Sequence, residues 1–363
     1  MKKADHQKPG GVSARYFTRG TIVLTVLAAA GLAGYAYRLI FGLGAATNLT
    51  DQYAWGIWIA IDVASGVALA AGGFTTAALA DIFHKEKYHV LVRPALLTAM
   101  LGYTFVVVGL LADLGRYYNV WHPMLPSMWQ GNSVLFEVGM CVMIYLTVLY
   151  IEFLPIVVER FKGRVNLPGI LSHLNNIVNS WLIVCERYLG RFISLFITAG
   201  VVLSCLHQSS LGTLMVIAPS KMHPLWYSKI LPIQFLLSAI AVGFPMVIFE
   251  SILSSRSFKR RPETDVLSSI ATYVPVLLGM YLAVKITDLT LRDAVPYLFD
   301  GSPASISYWI EVVVGVAAPM LLLSRRSIRN SVRGLLISAS LVIGGVVLNR
   351  INVFLVAYEP LYS

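Results

Sequence analysis

Several ionisable side chains interrupt stretches that are otherwise apolar: Arg38, Asp62, Glu137, Glu152, His207, Glu250, Lys285, Asp288, Glu311 and Arg350. Asp113 and Arg116 close another such stretch, and Tyr103 lies deep within it. A charge held in hydrocarbon costs about 2.5–3.5 kcal/mol even on the mildest scales, so such residues face a protein interior, pair, or mark a path for protons, ions or substrate. Carboxylates, an imidazole and a phenol at graded depths can relay protons and hydrogen-bond the carbonyls of an apolar redox substrate. Glu137 has no charge one helical turn away, so it needs a partner on another helix or a proton to handle. Plainer readings stand beside these. Lys285 and Asp288, three apart, can neutralise each other on one helix face. Arg38 can reach the interface along its own stem. Glu152 can be a solvated charge near a helix end, and His207 a satisfied packing residue.

The elements that must position these groups are membrane spans. The chain of 363 residues is 57% hydrophobic and 13% charged, with mean hydropathy +0.72, against about 25% charge in a soluble domain. Apolar stretches fall near 20–42, 55–81, 91–113, 131–158, 191–217, 225–254, 267–290, 305–324 and 331–357, each long enough to cross the hydrocarbon. Basic residues fall in alternate connections: Lys2, Lys3, Lys8, Arg15 and Arg19; Lys85, Lys87 and Arg93; Arg160, Lys162, Arg164, Arg187 and Arg191; Arg256, Lys259, Arg260 and Arg261; Arg325, Arg326, Arg329 and Arg333. The other side holds only Arg116, Lys221, Lys229 and Arg292. The positive-inside rule then puts the N-terminus in the cytoplasm and the C-terminus outside, across a bacterial inner membrane. The net charge of +10 reflects this topology rather than nucleic-acid binding.

The expected organisation is all-α: a cytoplasmic tail (1–19), a first four-helix bundle (20–158), a cytoplasmic connection (159–190), a second four-helix bundle (191–324) and an additional peripheral span (331–357). Within the connection, Leu171, Leu174, Val178, Trp181 and Leu182 recur at helical spacing among asparagines, which predicts an amphipathic helix lying on the cytoplasmic surface. With this orientation Asp62, Glu137 and Glu311 each lie about six or seven residues inside an outer-side start, and Arg38, Asp288 and Arg350 a few residues before an outer-side end. They form one polar layer roughly 5–10 Å below the outer surface. His207 and Tyr103 lie about ten residues from that face, and Glu250 and Glu152 near the cytoplasmic one.

Three scattered cysteines, Cys141, Cys185 and Cys205, have no CxxC spacing and build neither an iron–sulfur nor a zinc site by themselves. A bis-histidine haem needs two imidazoles at membrane depth. Only His207 is deep; His6, His84, His89, His122, His173 and His223 fall in tails, loops or the surface helix. A bis-histidine haem is therefore not expected, while His207 with a different second axial ligand stays open.

The phrases FGLG (41–44), WGIWIAIDVASG (55–66), YHVLVRPALL (88–97), DLGRYYNVWHP (113–123), NSVLFE (132–137), HQSSLGTLM (207–215), HPLW (223–226) and VIFE (247–250) resemble the NrfD/PsrC family, and within it the integral membrane subunits of periplasmic nickel–iron hydrogenases. The resemblance runs in order from about residue 20 to the C-terminus. It implies two four-helix bundles plus peripheral helices, and menaquinone or ubiquinone as substrate near the outer face. It implies no redox cofactor in this subunit, so that no haem, iron–sulfur cluster or metal is expected in this chain. It also implies a periplasmic ferredoxin-like iron–sulfur partner and, through it, the small and large subunits of a hydrogenase. Tyr103, Glu137, His207 and Glu250 match family positions for quinone or proton handling; Asp62, Asp113 and Arg116 match the outer-side region. The segment near 165–190 is longer than in close family members, and the sequence ends at EPLYS where they continue into a further helix.

The function expected is quinone reduction within an oxidoreductase complex, with no independent activity. Asp62, Tyr103, Asp113, Arg116, Glu137 and His207 border the quinone. Glu250, Glu152, Glu137 and His207 carry protons, with a cytoplasmic route from Glu250 towards Glu137. Arg38, Lys285, Asp288, Glu311 and Arg350 form structural ion pairs. The same quinone role with a molybdenum reductase or multihaem cytochrome partner is an alternative. A solute transporter would need inverted repeats and broken spans near the midplane, and no paired breaks are visible. A passive anchor would need no acidic residue at depth.

Overall fold

The computed structural model describes residues 17–50 and 52–359. The tail residues Lys2, Lys3, Lys8 and Arg15 lie outside the described residues. Among the described residues nine helices are long and apolar enough to cross a membrane: α1 Arg19–Phe41, α2 Ile59–Ile82, α3 His89–Asp113, α4 Val134–Phe161, α5 Leu171–Val216, α6 Leu231–Ser257, α7 Thr264–Leu291, α8 Pro303–Ser324 and α9 Val332–Val356. Side-chain caps set several starts. Thr18, Ser133, Ser302 and Ser331 accept the backbone N–H of Thr21, Phe136, Ser305 and Gly334, satisfying donors that have no partner within the helix.

The helices group differently from the sequence expectation. The spans α2, α3, α4 and α5 close one four-helix ring; α6, α7, α8 and α9 close the other; α2 and α5 meet α6 and α9 along the seam. The peripheral helix is therefore α1, not the last span, and each bundle begins one span later than 20–158 and 191–324 imply. Arg38 is the only buried residue of α1. By contrast α9 buries Ser338, Asn349, Arg350 and Asn352, and the last three hydrogen-bond to neighbouring helices. Hydropathy measures fitness for lipid and is silent about which helix packs against which.

The predicted surface helix is likewise not a separate element. From Asn175 to Val216 one α-helix runs for 42 residues, about 63 Å at 1.5 Å per residue, roughly twice the hydrocarbon thickness. A helix lying flat and then turning into a span needs a break near residue 190. Proline is absent there, and a lone Gly190 costs only about 1 kcal/mol against alanine. The connection folds back along this helix instead. Asn179 and Asn175 accept the backbone N–H groups of Gly163 and Leu167 (2.7 and 2.8 Å), and Lys162 pairs with Glu186.

In the second bundle α8 and α9 touch backbone to backbone. A Cβ on Gly345 would lie 2.3 Å from Gly315 Cα, so glycine is required at both positions. Gly345→Val is expected to separate the two helices and to lower folded protein recovered from membranes at least tenfold, read by detergent size-exclusion chromatography. A wild-type yield would show that the crossing yields easily.

Candidate functional site

The deepest charges of the second bundle are tied into one another and into neutral partners, with Arg350 Nε alone among their buried polar atoms left without a hydrogen bond. Lys285 and Glu311, 4% and 1% exposed, form a direct ion pair between α7 and α8. Glu311 also accepts Trp226 Nε1 (3.0 Å), Asn349 Nδ2 (2.9 Å) and Asn352 Nδ2 (2.8 Å). Lys285 stands over the Tyr308 ring at 4.7 Å. Arg350 donates to Asn349 Oδ1, Ser238 Oγ and the Phe235 carbonyl (2.6, 2.8 and 3.2 Å) and lies 3.6 Å above the Phe235 ring. Lys285 therefore pairs across helices and not with Asp288, which bonds Arg292 one turn along α7 and accepts Ser228 Oγ and Gln234 Nε2. Arg350 is held by neutral acceptors and a ring rather than by direct salt bridging. A carboxylate with this many donors is a bolt, with no lone pair left for a substrate.

The first bundle has the opposite character. Tyr103 and His207, both fully enclosed, are hydrogen-bonded through Oη and Nδ1 at 3.2 Å, and Tyr145 meets Tyr103 edge to face at 4.5 Å between centroids. Gln208 donates to the Val67 carbonyl at 2.7 Å. His207 Nε2, Gln208 Oε1, Ser204 Oγ and Glu152 Oε1 are buried without a hydrogen-bond partner. On α4 the residues Glu137, Cys141, Tyr145, Leu149 and Glu152 recur every three or four positions, along one face, over about 22 Å of rise. This file pairs with the α5 file through Ser204, His207 and Gln208. Sequence reading singled out the charges and missed Tyr145, Ser204 and Gln208, although their spacing from Glu152 and His207 was legible.

Glu137 lies less deep than expected. Because Ser133 caps α4, the helix starts at Val134 and Glu137 occupies its first turn, exposed on the protein surface. Glu152 is the reverse: 8% exposed, against α5 at Gly200, rather than a solvated terminal charge.

The six residues expected around one quinone pocket fall in separate places. Tyr103 and His207 are sealed inside the bundle. Arg116 is exposed beyond α3. Asp113 ends α3 beside Arg38, which donates to the carbonyls of Ala112 and Leu114 and sits 5.2 Å over the Tyr117 ring. Arg38 thus caps the C-terminus of α3, where a cation is favoured, instead of reaching for water. Asp113 Oδ1 is buried and unpartnered.

Asp62 opens on a groove. The first turns of α2, Ile59–Ser65, are π-helical, a distortion frequent at functional sites, and Asp62 packs against Gly109 of α3, where a Cβ would come within 2.8 Å of the Asp62 Cβ. Below it a cavity of about 270 Å³ runs between α2, α3 and α6, lined by Gly66, Gly102, Phe105, Val106 and Met246 and ending at Thr98. Thr98 Oγ1 donates to Glu250 Oε1. Glu250 lines a second cavity of about 350 Å³ with Ser251, Ser254, Arg260 and Arg261 on the basic-loop side. The Thr98–Glu250 pair stands between the two cavities. From Gly109 to Thr98 is about 16 Å along α3, half the hydrocarbon thickness. Among the described residues no three His, Cys, Asp or Glu side chains gather as metal ligands.

Residues 45–359 match the family described as "Polysulphide reductase, NrfD". The chain belongs to the NrfD family. A protein of Nitratidesulfovibrio vulgaris (strain Hildenborough) is 39% identical over 94% of this chain and 84% of its own length. The probable Ni/Fe-hydrogenase 2 b-type cytochrome subunit of Escherichia coli K12 is 34% identical over 89% of this chain and 78% of its own length. The integral membrane subunit of N. vulgaris menaquinone reductase is 30% identical over 49% of this chain and 38% of its own length. NrfD membership and the nine apolar helices make this a multi-pass membrane protein, and the resemblance read from its phrases is confirmed.

Proposed function

We propose that this NrfD protein is the quinone-reactive membrane subunit of a periplasmic oxidoreductase, passing electrons from an iron–sulfur partner to menaquinone. One observation carries the reading: a carboxylate, Asp62, stands at the mouth of a narrow apolar groove whose far end meets Glu250 and a polar cavity on the opposite side. Reducing a quinone takes two electrons and two protons. The groove suits the flat ring and tail, since ligand sites are mainly apolar with a few placed polar groups, and Asp62 can hydrogen-bond a ring carbonyl. Asp113, Arg38 and Arg116, at the same end, border the surface where the partner docks. With the N-terminus in the cytoplasm, that end faces the periplasm. A hydrogenase partner is favoured by the Escherichia coli relative, whose match covers most of both chains.

Protons enter from the basic side through the Glu250 cavity, pass Thr98 and reach the groove, rather than running from Glu250 to Glu137. The enclosed file of Glu152, Tyr145, Ser204, Tyr103 and His207 supports a second route beside it, because its unpartnered atoms leave room for exchange along the chain of donors and acceptors.

The name of the Escherichia coli relative implies a haem. Bis-histidine ligation needs two facing imidazoles at depth. His207 is the one histidine buried within the bundles among the described residues, its Nδ1 is engaged by Tyr103, and the remaining described histidines lie at helix ends or in loops. These residues do not fit a bis-histidine haem, and no step is routed through one.

The test is Asp62→Asn in the intact complex purified with its partners. Quinone reduction driven by the partner's electron donor is expected to fall at least tenfold with assembly unchanged. Full activity would remove Asp62, and with it the groove, from the chemistry.

A further inference from the structure

A second large apolar cavity lies away from Asp62. It is a groove of about 480 Å³ at the seam of the two bundles, with α5 and α7 as its walls and α2 and α6 as its floor. Leu79, Val201, Ile240, Phe244 and Leu277 line it, and its size is that of ordinary ligand sites. Polar groups inside are few and engaged: Thr75 Oγ1 donates to the Ala71 carbonyl at 2.9 Å. No carboxylate or imidazole lines it to serve the carbonyls of a quinone ring. Its rim, by contrast, is cationic. Lys85 is exposed at the mouth, where α2 ends. Lys87 stands close by, 4.8 Å over the Tyr88 ring and bonded to Ser269 at 2.7 Å. Neither ammonium pairs with a carboxylate among the described side chains. From Thr75 to the end of α2 at Ile82 the helix rises about 10 Å, and Lys85 lies just beyond that end.

We infer that this groove is a structural lipid site, holding an acyl chain of an anionic phospholipid whose phosphate lies at Lys85 and Lys87. Each methylene buried in such a groove adds favourable transfer free energy, and basic residues at the interface select anionic headgroups. The lipid fills the seam where the two bundles meet on the basic-loop side and holds α5 and α7 at fixed separation.

Native mass spectrometry of the full-length protein, offered equal phosphatidylglycerol and phosphatidylcholine with matched chains, tests this. Phosphatidylglycerol is expected to be retained preferentially, and Lys85→Gln, an exposed change, to weaken that retention about fivefold, the equivalent of about 1 kcal/mol for one basic residue. Leu79→Trp should fill the groove and lower retention of both lipids. Should that variant misfold, peptide-mapped maleimide labelling of Cys205, a half-buried lining residue, supplies the same reading: bound phosphatidylglycerol is expected to slow the reaction several-fold in the unaltered protein. Equal retention of the two lipids, no effect of Lys85→Gln, or displacement of the lipid by menaquinone would overturn the assignment.

Discussion

Lys285→Met is expected to destabilise the protein by about 3–5 kcal/mol, the usual cost of removing one partner from a buried ion pair. Glu311 would keep its bonds from Trp226, Asn349 and Asn352, but its charge would be stranded 1% exposed between helices. Lys285→Met combined with Glu311→Gln should recover most of the loss, because glutamine retains one acceptor oxygen and the charge is gone. A buried pair is often no more stabilising than well-packed neutral residues of similar volume. Thermal unfolding of the purified variants in one detergent checks both halves. A Lys285→Met protein of normal stability but defective in quinone reduction would make the pair functional rather than structural.

Glu250→Gln is expected to lower quinone reduction by about 10²-fold, within the range for loss of a positioned proton donor, and to abolish charge movement coupled to it. The substitution keeps volume, and its amide oxygen still accepts the Thr98 hydroxyl, so folding and assembly should be unaffected. What disappears is an exchangeable carboxyl proton between the two cavities. Proteoliposomes holding the complete complex report turnover and membrane potential together. Wild-type values in both would rule out the Glu250 route and make Glu152→Gln the next variant, since Glu152 begins the enclosed file. Thr98→Val should give a smaller loss, because water can replace one hydroxyl where it cannot replace an acid.

How much was legible follows from what each signal measures. Hydropathy located all nine apolar segments, since solvation in lipid is a property of each segment alone, but it placed the start of the fifth about twenty residues late and that of the sixth six residues early. The depth of Glu137 was misjudged because the asparagine and serine preceding it were counted into the span, whereas Ser133 is the cap. The N-terminal half of α5 was read as a separate helix because its asparagines lower the hydropathy, yet they serve as acceptors for the returning loop. Asp288 was one partner open to Lys285, because local spacing is visible in a sequence, whereas the approach of Glu311 from another helix is not. The neutral partners Trp226, Asn349 and Asn352 carry no charge to draw notice. Asp62 stood out as a charge, but its groove depends on Gly109 lying opposite, a matter of tertiary register.

Because four spans make up each bundle, and four is even, consecutive bundles α2–α5 and α6–α9 enter and leave on the same side. They stand the same way up. The inverted halves by which many transporters exchange one side of a binding site for the other need an odd number of spans per unit. The two units here are not related in that way. The seam between two units of like orientation presents a different end to each side of the membrane, which suits the proposed supply of electrons and protons from opposite sides.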